Sequence, residues 1–235
     1  MKKTGRYLLI LIAVLILWNT PVIYPLKIFA VYLHELGHAV MALVFGSKIT
    51  DFKVNIDQSG HVIASVKGWF PGFMVASGGY LGSVLFALGI LYLGRTKFKK
   101  YVPGTLAIIL LIVSIRYFSL SFTLIYSVLF AVAIILLYML QNEKVNAWVI
   151  DILGISSAAY AVYDTFVDTI LLQLNVHINL LRGMDNKQPL TDAVQLQKMT
   201  GIPAIIWGII WLVIALAVLY VALVKQGTAK RRKNK

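Results

Sequence analysis

Residues 28–44 read IFAVYLHELGHAVMALV, an apolar run with the five letters HELGH, residues 34–38, at its middle. The surrounding segment from Leu26 to Phe45 has the roughly 20 residues that a membrane-spanning helix needs, and Gly46 directly after it is a helix stop signal. On a helix, His34 and His38 differ by about 40° around the axis, so both imidazoles face one side. Unpaired polar groups are costly in such a segment. The sequence therefore predicts a membrane helix with a metal-binding motif inside it.

The rest of the chain has the same apolar character. Its 235 residues are 60% hydrophobic, and the mean hydropathy is +0.83. A soluble domain of this size cannot bury so much apolar surface. We expect an all-α polytopic membrane protein, a bundle of six or seven transmembrane helices, in one domain over residues 1–235. Residues 48–67 should form an extramembrane β-hairpin directly after the HExxH helix, and residues 225–235 a basic tail.

The net charge of +13 lies in clusters that flank apolar segments, at Lys2 to Arg6, Arg95 to Lys100 and Lys230 to Lys235. Such clusters set topology and meet anionic lipid, so we expect the lipid bilayer and no nucleic acid as a partner. A count of seven crossings, with residues 102–140 split near Arg116, places the basic loop and tail on the cytoplasmic side. The N-terminal cluster then falls outside. This position violates the rule that basic clusters face the cytoplasm. Either the first segment does not cross the membrane fully, or a later division of an apolar segment into two helices is wrong.

The HExxH motif predicts zinc chemistry. His34 and His38 can bind one tetrahedral zinc ion, and no cysteine is present to act as a ligand. Zinc lowers the pKa of a bound water to about 7, and Glu35, the predicted catalytic residue, can take its proton. A catalytic zinc usually has three protein ligands, so one remains to be found.

Asp164 and Asp168 are the candidates for the third ligand. They are four residues apart in an apolar helix, share one face of it, and match the depth of the two histidines in the predicted topology. We expect Asp164 to bind zinc and Asp168 to hold a histidine N–H, with the exchanged assignment as the alternative. Thr191-Asp192-Ala193 is predicted to be a helix N-cap, a structural role. His61 lies in a polar segment and is expected to be an ordinary surface residue.

Small residues dominate the third apolar segment, where ASGGYLGS occupies residues 76–83. Gly78 and Gly82 form a G-x-x-x-G pattern, which is typical of close helix packing in lipid. The alternative is that the small residues leave room for a substrate backbone beside the zinc.

Taken together, HELGH, a following hairpin, the glycine-rich span, Thr191-Asp192-Ala193 and the tryptophans of the last span resemble the site-2 protease family, over about residues 30 to 215. Within that family, the chain more closely resembles the small HExGH-containing branch. The resemblance implies zinc bound by His34 and His38, Glu35 as the base, and an aspartate ligand on a later helix. Better-studied members carry that aspartate in an Asn-Pro-Asp-Gly type motif, which this chain lacks.

We therefore expect a zinc-dependent intramembrane endopeptidase in a bacterial cell membrane, acting on membrane-anchored protein substrates. The hairpin offers an edge to an extended substrate, because strand addition supplies backbone hydrogen bonds. The alternative is a non-catalytic metal-binding membrane scaffold or ion transporter. Glu35 argues against this alternative, since a structural metal site needs no base.

Overall fold

A computed structural model describes residues 3–117, 121–172, 174 and 191–221. The described part is a helical bundle with one small sheet, which confirms the predicted fold class. Its elements are α1 (Lys3–Ile16), α2 (Tyr24–Val44), β1 (Lys48–Val54), β2 (Gly60–Ser65), α3 (Trp69–Leu93), α4 (Val102–Arg116), α5 (Phe122–Met139), α6 (Glu143–Phe166), α7 (Asp192–Thr200) and α8 (Ala204–Tyr220). A π-helical turn, Val167–Leu171, continues α6. Short 3-10 turns, Pro21–Ile23 and Lys99–Tyr101, precede α2 and α4.

Four of the described helices are long and apolar enough to cross a membrane. They are α2 with its preceding turn, α3, α5, and α6 with its π-helical continuation. The remaining long helices α1, α4 and α8 have 14, 15 and 17 residues. The break between α4 and α5 confirms the predicted division near Arg116, which is the last residue of α4.

Helix α2 ends at the residue that the sequence indicates. Gly46 has a φ of +67°, a left-handed conformation that favours glycine. The N–H of Gly46 donates to the carbonyl of Leu43, and the N–H of Ser47 donates to that of Ala42 at 2.8 Å. This is the hydrogen-bond pattern of a Schellman motif, which satisfies the last carbonyls of a helix and turns the chain away. The turn sends the chain directly into β1.

Helices α2 and α3 pack against each other in opposite directions and at close range. Gly37 of α2 faces Gly78 and Gly82 of α3, and a Cβ atom added to Gly82 would lie only 2.6 Å from the Cα of Gly37. Phe45, just past the end of α2, packs against Phe70 at the start of α3. The G-x-x-x-G pattern therefore serves helix packing, as its usual meaning predicts.

One end of the bundle collects the basic residues from distant parts of the sequence. Arg6 of α1 forms an ion pair with the buried Asp151 of α6. Arg95, after α3, donates to the hydroxyl of Tyr7 at 2.9 Å. Lys99 lies 2.8 Å from Glu143, the first residue of α6. The N-terminus and the predicted cytoplasmic loop therefore share one end. Residues 222–235, which include the predicted tail, lie outside the described residues.

Helix α1 explains why the N-terminal charges fall on that side. It runs in the same direction as α6, because Arg6 pairs with Asp151 near one end and Trp18 packs against Tyr163 further along. Its 14 residues extend about 21 Å, less than the roughly 30 Å of a bilayer core. Trp18 then lies beside Lys27 of α2, whose ammonium is 4.6 Å from the ring centre. Of the two alternatives, the structure favours a first segment that does not cross fully.

The hairpin forms where the sequence predicts it. Its strands pair antiparallel from Lys48 opposite Ser65 to Val54 opposite Gly60. Ile49, Phe52 and Val54 are buried on one face, and contacts with α2 cover that face. The strand end at Val54 is bonded to Thr123 of α5, and Gly60 lies against Glu35 of α2. That the hairpin lies outside the membrane stays a prediction.

Cysteine labelling in intact cells tests the orientation, since the chain contains no native cysteine. We expect Lys97→Cys, in the basic loop after α3, not to react with an impermeant maleimide, because basic ends face the cytoplasm. Ser65→Cys, exposed at the other end of the bundle, should react. Both variants should react after permeabilisation. Labelling of Lys97→Cys alone in intact cells would invert this orientation.

Candidate metal centre

Three side chains from two distant parts of the chain converge on one point. The Nε2 atoms of His34 and His38 are 3.3 Å apart. An Oδ2 atom of Asp192 lies 3.1 Å from the first and 3.0 Å from the second. A tetrahedral zinc with bonds of about 2.0 Å keeps its ligand atoms about 3.3 Å apart, close to these spacings. Two imidazoles and a carboxylate are also a ligand set that zinc prefers. The residues present fit a zinc ion.

The imidazole of His38 is oriented by the backbone of α3. Its Nδ1 lies 2.7 Å from the carbonyl oxygen of Val75, which can only accept a hydrogen bond. Nδ1 therefore carries the proton, and Nε2 presents its lone pair to His34 and Asp192. Such a fixed tautomer is typical of histidines that bind metals.

The imidazole of His34 has a carboxylate behind it. Its Nδ1 lies 3.7 Å from an oxygen of Asp164, which is too long for a hydrogen bond, and this buried nitrogen has no hydrogen-bond partner among the described residues. The carboxylate of Asp164 also accepts a hydrogen bond from the hydroxyl of Tyr160, which lies one turn earlier in α6. Asp164 thus faces the side of His34 that points away from Asp192. A small movement would make it the acceptor for the His34 N–H.

Asp192 reaches the site because α7 is anchored on α3. The hydroxyl of Thr191 accepts from the N–H of Val194 at 3.4 Å, which confirms the predicted N-cap. The indole of Trp69 donates to the carbonyl of Met199 at 2.9 Å. The carboxylate oxygen of Asp192 faces the Nε2 atoms of both His34 and His38, where a cation between the three groups would bind.

Gly79 leaves the space that the converging groups need. A Cβ atom built on Gly79 would collide with the Nε2 atoms of both His34 and His38, the atoms that face Asp192. The next residue, Tyr80, packs edge-on against His34 with ring centres 4.9 Å apart, and Trp211 of α8 stacks on Tyr80. Close approach of α3 thus supports the site as well as the packing of α2.

Glu35 lies beside the three converging groups and faces a cavity of about 320 Å³. Its side chain is buried, with 6% relative exposure. A Cβ atom on Gly60 of the hairpin would be 2.6 Å from its Oε1. The hairpin tip and the start of α7 border the cavity. His61, expected to be a surface residue, is exposed, and its Nε2 lies 2.9 Å from a carboxylate oxygen of Asp51 at the border of the cavity.

The arrangement differs from the sequence prediction in the third ligand. His34, His38 and Asp192 form the one group of three potential metal ligands found in the described part of the chain. Asp164, the expected ligand, lies instead at the other nitrogen of His34, and its ligand role stays a prediction. The side chain of Asp168 lies outside the described residues. The sequence feature that could have pointed to Asp192 as a metal ligand was the Thr191-Asp192-Ala193 motif. A helix N-cap was, however, a sufficient explanation of that motif.

The comparison with known families matches nearly the whole chain. A family model described as Peptidase M50B-like matches residues 7–222. This range includes HELGH, the hairpin, Asp164 and α7. No curated protein and no solved structure was found to match the chain.

Substitution of Gly79 tests whether the space beside the histidines holds a metal. We expect Gly79→Ala to weaken zinc binding by at least about 10-fold, because the added methyl displaces the ligands, as loss of a supporting group does. Metal titration of the purified protein measures this. The control is Gly89→Ala in the same helix, where no described atom lies within 4 Å of the added Cβ. Equal zinc affinity in both variants would contradict a metal at this position.

Proposed function

We propose that this chain, which belongs to the Peptidase M50B-like family, a site-2 protease family, is a zinc-dependent intramembrane endopeptidase acting on membrane-anchored proteins. The observation that carries the proposal is the convergence of both HExxH histidines with Asp192, next to Glu35 and a cavity. The long apolar helices around this site support a reaction at the level of the membrane.

His34, His38 and Asp192 would hold the zinc ion. Asp164 would hold the N–H of His34 from behind, as the carbonyl of Val75 does for His38. In this assignment Asp164 positions His34 and does not bind zinc, as the sequence had led us to expect it would. When bound, zinc acts as a Lewis acid that polarises the scissile carbonyl and acidifies water.

Glu35 would move the protons of the reaction. Its carboxylate takes one proton from the attacking water as the oxygen forms a bond to the carbonyl carbon. It then gives a proton to the amide nitrogen as the C–N bond breaks, so the products are a carboxylic acid and an amine. The position beside His34 keeps Glu35 about 100° around the helix from that ligand. Gly60 packs against its carboxyl end and limits the directions in which it can turn.

The hairpin offers a place for an extended substrate. The N–H of Asn55 donates to the carbonyl of Ser59 at 2.8 Å, so the next pair, Val54 and Gly60, is a non-hydrogen-bonded pair. Gly60 therefore points its backbone N–H and C=O towards the outer edge of β2, and Val62 does the same. That edge has no strand partner in the described part of the chain, and both residues border the cavity. An unwound substrate segment can add there as a third strand.

Cleavage in liposomes tests the proposed function. We expect the purified wild type to hold about one zinc per chain and to cut a co-reconstituted single-span model substrate. Glu35→Gln should keep the zinc but lower kcat by at least about 100-fold, because the proton acceptor is lost. The matched control is Glu143→Gln, an exposed carboxylate at the start of α6.

Two results would contradict the proposal. If the purified wild-type protein contains no zinc, the proposed metal centre is wrong. Zinc-loaded protein that cleaves no membrane substrate would favour the alternative, a metal-binding scaffold or ion transporter.

The third ligand can be assigned by metal content. We expect Asp192→Ala to be purified without zinc, because a ligand is missing. Asp164→Ala should bind zinc about 10- to 100-fold more weakly than wild type, because only the orientation of His34 is lost. Atomic absorption and competition with a chromophoric chelator measure the two effects. The reverse pattern would restore Asp164 as the ligand.

A further inference from the structure

Strand β1 has its outer edge closed by one side chain. The N–H of Val54 donates to Oγ1 of Thr123 at 2.9 Å, and the hydroxyl of Thr123 donates to the carbonyl of Val54 at 3.0 Å. Because Val54 and Gly60 are a non-hydrogen-bonded pair, these two groups of Val54 point away from β2. They are the groups that a further strand would bind on this side. Thr123, which is 2% exposed, takes that place.

A buried chain of hydroxyls connects Thr123 with the helix that carries the HELGH motif. The hydroxyl of Tyr32, two residues before His34, lies 3.0 Å from that of Ser114. Ser114 is 2.7 Å from Ser127, and Ser127 donates to the backbone carbonyl of Thr123 at 2.9 Å. The chain thus runs from α2 through α4 and α5 to β1. It joins the hairpin to the helix of the candidate metal centre without passing through the cavity.

We propose that Thr123 is a positioning residue that fixes the hairpin against α2, so that Gly60 stays beside Glu35 and only the edge of β2 is open to substrate. The proposal rests on the proposed peptidase function. Thr123 touches none of the reacting groups and acts through Val54 and its partner Gly60. Its effect is on how well an extended segment binds and on which side of the sheet it binds.

The chemistry of Thr123 explains why a hydroxyl is needed. A hydroxyl can accept and donate at once, so one side chain satisfies both polar groups of Val54. An apolar residue of the same shape would leave a buried N–H and C=O unpaired, which is unfavourable. The strand end would then move to find other partners or expose a second edge for pairing. Either change displaces Gly60 from Glu35.

The experiment compares Thr123→Val, which keeps the shape but loses the hydroxyl, with Thr123→Ser, which keeps the hydroxyl. The control is Thr105→Val, at an exposed position of α4. Two quantities are measured on the zinc-loaded full chain in liposomes. One is hydrogen exchange of the Val54 amide, and the other is the KM and kcat for the single-span model substrate.

We expect Thr123→Val to speed exchange at Val54 by about 10-fold or more and to raise KM by about 10-fold, since two buried hydrogen bonds are lost. The kcat should change by less than about 3-fold and the zinc content not at all, because Glu35 and the metal ligands are intact. Thr123→Ser should restore both exchange and KM to near wild-type values. Thr105→Val should behave as wild type.

Unchanged exchange and KM in Thr123→Val would overturn the proposal. Equal defects in Thr123→Val and Thr123→Ser would also overturn it, because the methyl group and not the hydroxyl would then matter. If the wild type holds zinc but does not cut the model substrate, the proposed function fails. Exchange at Val54 in the two variants then decides by itself whether Thr123 fixes the hairpin.

Discussion

The cost of placing polar groups in an apolar bundle is the constraint on which the rest of this structure depends. His34, Glu35 and His38 lie within a spanning-length helix, where each unpaired polar group is expensive. The structure meets this cost from several directions. The carbonyl of Val75 takes the N–H of His38, and Asp192 lies against both Nε2 atoms. Helix packing and site assembly therefore depend on each other, because each hydrogen-bonding or ionic partner of the histidines lies on a different helix.

The glycines of α3 show how the two demands are combined. Glycine in a helix interior costs about 1 kcal/mol relative to alanine. Gly78 and Gly82 offset this cost by letting α3 approach Gly37 closely, which strengthens packing. Gly79 lies between them and faces the histidines, where any side chain would occupy the space of the candidate metal. The same stretch thus draws two helices together and keeps their shared interior open at one point.

Much of the fold followed from local patterns, whereas the third metal-ligand candidate did not. Apolar runs marked the helices, Gly46 marked the end of α2, and the polar stretch after it marked the hairpin. Asp192 lies 158 residues from His34 in the sequence, on a short helix that no spanning pattern reveals. Depth counting compares only acids within spanning segments, so it selected Asp164. That residue does lie beside His34, but at the nitrogen that faces away from the candidate metal position.

The same cost of unpaired polar groups would apply to a substrate of the proposed peptidase, and the small sheet bears on it. A peptide bond in a membrane helix has its N–H and C=O already paired, and unwinding leaves them without partners in an apolar medium. A strand edge can supply new partners at the point of unwinding. A two-stranded sheet has two such edges, and either could capture an extended segment. Thr123 closes the edge of β1, while the edge of β2 at Gly60 lies beside Glu35. In the proposed peptidase, this asymmetry would direct the exposed substrate backbone to the edge of β2, where the carboxylate of Glu35 lies near enough to act on it.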